Sequence, residues 1–276
     1  MRIHHLTVGY FRPPLRGLTQ GGEGRWLGRS KYVIHCLLLE LEDRLVLVDS
    51  GLGRDDMNSP TLSLGWGMAW FGGASPGETA ARQISALHAS NAIRPSLRVT
   101  DVILTHLDKD HTGGLCDFPQ ARVHVHSLEH AAWKRPKGPA LGQRYSGRHL
   151  AHKPLWENYA ADEFSDDWFG FRAARLRDLP GTLRMIHLPG HTLGHCGLAI
   201  YTSQGWLLHA GDCVYHSAWL QGSQPPPAIR LTERMLAQDW RAWNATREQV
   251  TALRESGNAV VFTSHDPEMF RKLKNS

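Results

Sequence analysis

Apolar positions along this chain come in short runs separated by polar and glycine-rich stretches, a spacing that predicts many strands and few long helices. Over 32–42, Val33, His35, Leu37 and Leu39 alternate with Ile34, Cys36 and Leu38, so apolar residues occupy both faces. A strand covered on both sides reads this way. The run resumes at 44–48 across Glu42-Asp43, which predicts a hairpin. Buried strands follow at 101–104 and 122–126, and the pattern restarts with 183–187, 197–201, 206–209 and 259–262.

Helical spacing appears between these runs. Ser75-Pro76-Gly77-Glu78 is a capping box with proline at the first helical position, and Ala80, Ile84 and Leu87 then mark one face of a helix ending near Asn91. Ser127 is read as the cap of a helix through about Trp133. Leu236, Trp240, Trp243 and Val250 predict one long helix closed by Gly257. The chain therefore reads as two halves, each of strands followed by helix, with candidate ligands on loops at strand ends. The expectation is an α/β fold, an αββα sandwich of two mixed β-sheets flanked by helices, with a site at one edge between the sheets.

The connectors differ in character. Residues 1–30 carry Pro13-Pro14, Gly17 and Gly21-Gly22-Glu23-Gly24 and read as a short strand followed by loop. Residues 54–77, with Trp66, Trp70 and Phe71, read as an irregular loop over the site. Residues 134–170 are rich in Gly, Pro and aromatics. They read as a lid inserted in a single domain spanning 1–276, with Arg144 and Arg148 among the groups lining a pocket.

The chemistry concentrates in Thr105-His106-Leu107-Asp108-Lys109-Asp110-His111-Thr112-Gly113-Gly114, directly after the 101–104 strand. Imidazoles and carboxylates at this density suit Zn, Fe or Mn, and adjacent sites for two ions need about this many donors. The stretch resembles the HxHxDH signature of the metallo-β-lactamase-fold hydrolases, with Asp108 standing where the second His usually stands. Leu188-Pro189-Gly190-His191, Ala210-Gly211-Asp212 and Phe262-Thr263-Ser264-His265 resemble that family's later motifs in order, and Val46-Leu47-Val48-Asp49 resembles an earlier one. The resemblance implies one ion held by His106, Asp108 and His191 and a second by Asp110, His111 and His265. Asp212 would bridge them and Asp49 would support the ligands from outside. It also implies a hydroxide shared between two divalent ions, Zn first and Mn or Fe as alternatives, with Asp110 taking part in catalysis.

Asp212-Cys213-Val214-Tyr215 is similar to the N-acyl homoserine lactonases of the superfamily, in which a Tyr three residues after the bridging Asp stabilises the oxygen of the opened ring. His195 and His209 read as supporting groups, and the His124/His126 pair as structural or exposed. Only a short tail follows His265, so the appended domains of other branches are not expected. The implied function is a dinuclear metal-dependent hydrolase opening a lactone or a related ester in a small-molecule substrate. The alternatives are a thioester or phosphodiester hydrolase, or a metal-stabilised binding or sensing protein with little turnover.

Composition narrows this picture slightly. Net charge is +5 with His neutral, yet Arg172, Arg175 and Arg177 are interleaved with apolar residues and no long basic run exists, so no nucleic-acid partner is expected. No run reaches the roughly 18 apolar residues of a membrane span. Cys36, Cys116, Cys196 and Cys213 are widely spaced and read as reduced thiols. With no apolar segment near Met1, the expected location is the cytoplasm.

Overall fold

The computed structural model describes residues 1–21, 26–136 and 143–274. Two sheets face each other. The first has strand order β4-β1-β2-β3-β5-β6-β7, formed by β1 (Arg2–Phe11), β2 (Tyr32–Glu40), β3 (Leu45–Val48), β4 (Gly72–Gly73), β5 (Val99–Ile103), β6 (Arg122–His126) and β7 (Leu155–Tyr159). The second runs β13-β12-β11-β10-β9-β8, from β8 (Asp166–Trp168), β9 (Phe171–Arg175), β10 (Leu183–His187), β11 (Cys196–Thr202), β12 (Gly205–His209) and β13 (Ala259–Phe262). Both are mixed: β1, β2 and β3 pair antiparallel while β3, β5, β6 and β7 run parallel, and β13 joins β12 in parallel.

The double apolar face of β2 follows from this layering. Leu37 and Leu39 meet Met185, Leu198, Ile200 and Phe262 between the sheets, whereas Ile34, Cys36 and Leu38 pack outward with Ile84 of the helix Ala80–Ala89. On the far side of the second sheet, Ile186, Ala199 and Leu208 pack with Val250 and Leu253 of the helix Trp240–Ser256. Helix, sheet, sheet and helix form the αββα sandwich expected from the sequence. All four cysteines are free. Among the described residues no helix is long and apolar enough to cross a membrane.

Several local expectations are corrected. β1 is ten residues long, because its register with β2 continues from Arg2 to Phe11. Residues 54–77 are not irregular: they form the helices Arg54–Asn58, Pro60–Ser63 and Trp66–Phe71. Asp56 accepts from the Gly53 N–H, and Pro60 opens the next turn, local contacts invisible to an apolar-period reading. The long C-terminal helix is two helices, Pro227–Leu236 and Trp240–Ser256, because Asp239 caps the second by accepting from the Ala242 N–H. The cap of Ser127–Lys134 is His126, whose Nδ1 accepts from the Leu128 N–H. Within the 134–170 segment, β7 and β8 extend one sheet each. Residues 137–142 of that segment lie outside the described residues.

Candidate metal centre

The ligand motifs sit where strands end. β5 delivers Thr105 to Asp110, β10 delivers His191, β12 delivers Asp212 and β13 delivers His265. Because β12 and β13 are parallel, Asp212 and His265 leave the second sheet at the same edge. Parallel β3 and β5 do the same for Asp49 and His106 in the first sheet. The result is two donor sets, each with one atom per residue lying within 4.8 Å of the others: His106, Asp108 and His191, and Asp110, His111, Asp212 and His265.

Asp212 lies between the sets. Its Oδ1 is 3.4 Å from His111 Nε2, and its Oδ2 is 3.2 Å from His265 Nε2, 3.8 Å from His191 Nε2 and 3.9 Å from His106 Nε2. Asp110 Oδ2 is 3.4 Å from both His111 Nε2 and His265 Nε2. Every residue assigned to the site by the motifs is therefore brought to one place.

The hydrogen bonds behind the imidazoles decide which nitrogen faces inward. His265 Nδ1–H donates to the Val33 carbonyl at 2.9 Å, and His111 Nδ1–H donates to Asp49 Oδ2 at 2.8 Å. The Thr105 hydroxyl donates to Asp49 Oδ2 at 2.9 Å, so its oxygen accepts from His106 Nδ1–H at 3.0 Å. His191 Nε2 accepts from Arg144 Nη2 at 2.6 Å, leaving its Nδ1–H facing the Tyr215 oxygen at 3.4 Å. In its neutral form each of the four rings thus turns an Nε2 lone pair inward, the tautomer that binds a metal.

Four imidazoles and three carboxylates gathered in a buried space favour bound positive charge. The electrostatics of the imidazoles follow from this surplus of negative charge. Burial alone would push the His111 and His265 imidazoles down, but Asp212 and its neighbours outweigh it and raise both above the ordinary value. Among the described residues, His111 Nε2 and Asp212 Oδ1 have no hydrogen-bond partner, although both are buried. The Asp110, His111, Asp212 and His265 set therefore fits a divalent ion. The other set offers suitable donors too, but Arg144 shares them, placing Nε 2.7 Å from Asp108 Oδ1 and Nη2 2.6 Å from Asp108 Oδ2. Burial would raise the Asp108 carboxyl, yet the guanidinium holds it well below the usual range. Burial and the same guanidinium push His191 down to about 4.

Supporting groups pin the loops. His195 donates from Nδ1 to the Leu188 carbonyl and accepts from the Asp212 N–H at Nε2, so it orients Asp212 without ligating. His209 meets the His35 carbonyl, and His124 pairs with Asp101 and Tyr159, both structural as expected. Gly190 has φ +135°, and a Cβ there would lie 2.2 Å from the Trp243 backbone, so the His191 loop requires glycine.

Two elements escaped the sequence reading. Glu129 accepts from the Leu107 N–H at Oε2 and from the Gly194 N–H at Oε1, tying two ligand loops together across the sandwich. His149 bridges Asp56 and Thr112, which fixes the Arg144-bearing turn against the helix carrying Asp110 and His111. Neither has a motif; a buried carboxylate at one helical position gives no sequence signal of its partners.

Tyr215 lies beside both sets, its ring centroid 5.7 Å from His191 and 5.6 Å from His265. Burial first, then Asp212, raises its phenol well above the ordinary value, so it keeps its proton. With its oxygen accepting from His191, that proton is free to be donated. Phe11 covers His265 at 5.4 Å and Phe71 backs Phe11 at 6.0 Å, giving the site an apolar wall.

Comparison with known proteins agrees with this geometry. A model of the metallo-beta-lactamase superfamily matches residues 30–265. A probable metallo-hydrolase of Mycobacterium tuberculosis is 31% identical over 282 residues, covering 100% of this chain and 84% of its own. Among solved structures, B. thuringiensis AiiA with N-decanoyl-L-homoserine at its active site superposes with a TM-score of 0.70 at 16% identity, over 98% of this chain and 95% of the other. AidC, a dizinc quorum-quenching lactonase, gives 0.60 at 18% identity over 96% and 87%. By family model and by relative, the chain belongs to the metallo-beta-lactamase superfamily of metal-dependent hydrolases.

Proposed function

We propose that the chain is a metal-dependent hydrolase that opens a lactone or cleaves a related ester in a small-molecule substrate. The observation that carries this reading is the set of four inward Nε2 lone pairs facing Asp108, Asp110 and Asp212, beside a Tyr215 hydroxyl with a free proton. Divalent ions bound there, two when fully loaded and zinc by preference, supply Lewis acidity and an activated water at neutral pH.

The chain's own residues do the rest. Tyr215 donates its proton to the oxygen that gains charge as the ring opens, the part of an oxyanion donor. Asp110 would hold an ion together with His111, Asp212 and His265. Phe11 and Phe71 shield the wall from water and offer apolar surface to a substrate chain. The turns around 143–153, which carry Arg144 and His149, are the part of the 134–170 segment assigned to substrate selection. The AiiA and AidC likenesses, at 16% and 18% identity, support the fold; the lactone rests on Tyr215.

One observation favours a second reading, a binding or sensing protein: Arg144 occupies part of the first donor set. The deciding experiment is hydrolysis by metal-loaded protein of a panel containing homoserine lactones of several acyl lengths, a thioester and a phosphodiester. Lactone turnover above the metal-stripped control supports the proposal. Preference for the thioester or phosphodiester, or metal uptake with no turnover, refutes it.

A further inference from the structure

The Arg144 guanidinium stands where three donors converge. Its side chain is only 7% exposed; Nε and Nη2 form a fork with both Asp108 oxygens, and Nη2 also lies 2.6 Å from His191 Nε2. Nη1 donates to the Leu236 carbonyl, which anchors the group from behind. Asp108 Oδ2 is meanwhile 3.1 Å from His191 Nε2 and 3.4 Å from His106 Nε2, so the nitrogen that touches two of the three donors lies at the mouth of the set. Among the described residues nothing comparable touches the other set, where His111 Nε2 and Asp212 Oδ1 are without hydrogen bonds.

We infer that Arg144 is a built-in competitor for the first metal position, so that the chain fills the Asp110, His111, Asp212 and His265 position first and the His106, Asp108 and His191 position only at higher metal concentration. The physical reason is charge and geometry together. A guanidinium satisfies a carboxylate with two parallel hydrogen bonds, a match that ammonium or a neutral group does not reproduce. A divalent ion entering that position must take the Asp108 lone pair and the His191 Nε2 lone pair away from Arg144, whose buried charge then has to find other partners. Asp108 and Arg144 also account for each other. An imidazole at 108 would give the guanidinium no charge to pair with, and a carboxylate at 108 without Arg144 would add unbalanced negative charge to a buried cluster. This inference concerns metal loading alone; the hydrolase reading can fail on the substrate panel while the loading order stands, and the reverse.

The test is calorimetric titration of metal-stripped protein with Zn(II), with bound metal counted by elemental analysis after dialysis. The wild-type chain is expected to bind in two steps separated by roughly 10²-fold, the upper end of what a change in the groups around metal ligands does to affinity. His265→Ala should remove the tight step and His191→Ala the weak one. Arg144→Ala should bring the weak step close to the tight one, and Arg144→Lys, which keeps the charge but loses the fork, should restore part of the separation. Asp108→His, which removes the carboxylate that holds Arg144, gives a second route to the same gain. Arg144→Gln replaces Arg144→Ala if circular dichroism shows the latter misfolded. Two equal steps in the wild type, or a separation unchanged in both Arg144→Ala and Asp108→His, overturns the inference. So does loss of the tight step in His191→Ala rather than His265→Ala.

Discussion

Asp49 never touches the metal positions, yet replacing it with Asn should weaken both. Asp49 is 1% exposed and sits at φ +53° between β3 and the ligand loop. Oδ1 accepts from the Thr105 N–H at 2.8 Å, and Oδ2 accepts from the Thr105 hydroxyl and from His111 Nδ1–H. Asp49→Asn keeps the shape and the Oδ1 bond but puts an NH2 group where Oδ2 was. His111 Nδ1 must then accept, which moves its proton to Nε2 and removes the inward lone pair. The Thr105 hydroxyl now receives a proton from the amide and turns its own toward His106 Nδ1, which inverts His106 in the same way.

One substitution thus disables one donor in each set. Loss of a group that orients a metal-bound His costs about 10- to 100-fold in affinity, or roughly 1.4–2.7 kcal/mol per position. The two effects share Thr105 and Asp49 and will not simply add. Zinc competition against a chromophoric chelator reads both positions, and circular dichroism of the stripped protein reports the fold. Thr105→Val separates the two routes: it spares the Asp49–His111 bond and should weaken the first position more than the second. If Asp49→Asn binds zinc with wild-type affinity at both positions, the tautomer argument is wrong.

Because His111 and His265 bind protons above their ordinary pKa in the stripped protein, metal uptake should release protons. Affinity should therefore fall as pH is lowered, beginning above pH ~6.5 where an ordinary His would start to compete; titrations in buffers of different ionisation enthalpy count the protons. Tyr215→Phe should lower kcat/KM on lactones by roughly 10²-fold with metal content unchanged, the loss expected for one oxyanion donor; an unchanged rate would reduce Tyr215 to packing. Asp101 tests stability away from the site. Burial pushes its carboxyl up, but bonds from His124 and Thr100 and the charge of Arg122 more than offset this and hold it at about 2. Its folded pKa is depressed, so its contribution is complete above the ordinary carboxylate range and is lost as pH falls toward 2. Asp101→Asn should accordingly lower the melting temperature most near pH 7, with the difference shrinking between pH ~4 and ~2.

The candidate ligand set was legible in the sequence through its resemblance to the metallo-β-lactamase-fold motifs, each of which is a short stretch at the end of an apolar run. The double apolar face of β2 likewise announced a strand buried on both sides. What the sequence could not fix is whatever depends on residues far apart meeting in space. The roles of Glu129 and His149 follow from contacts made across different elements, so no periodicity marks them. The break at Asp239 and the short helix Arg54–Asn58 each rest on a single capping bond that competes with apolar spacing. The clearest case is Asp108. Its sequence position made it a candidate ligand, but whether it faces an ion or a guanidinium was decided by a turn that folds back from Arg144, 36 residues along the chain. A buried carboxylate takes whichever cation the tertiary structure brings within reach, and only the fold determines which one arrives.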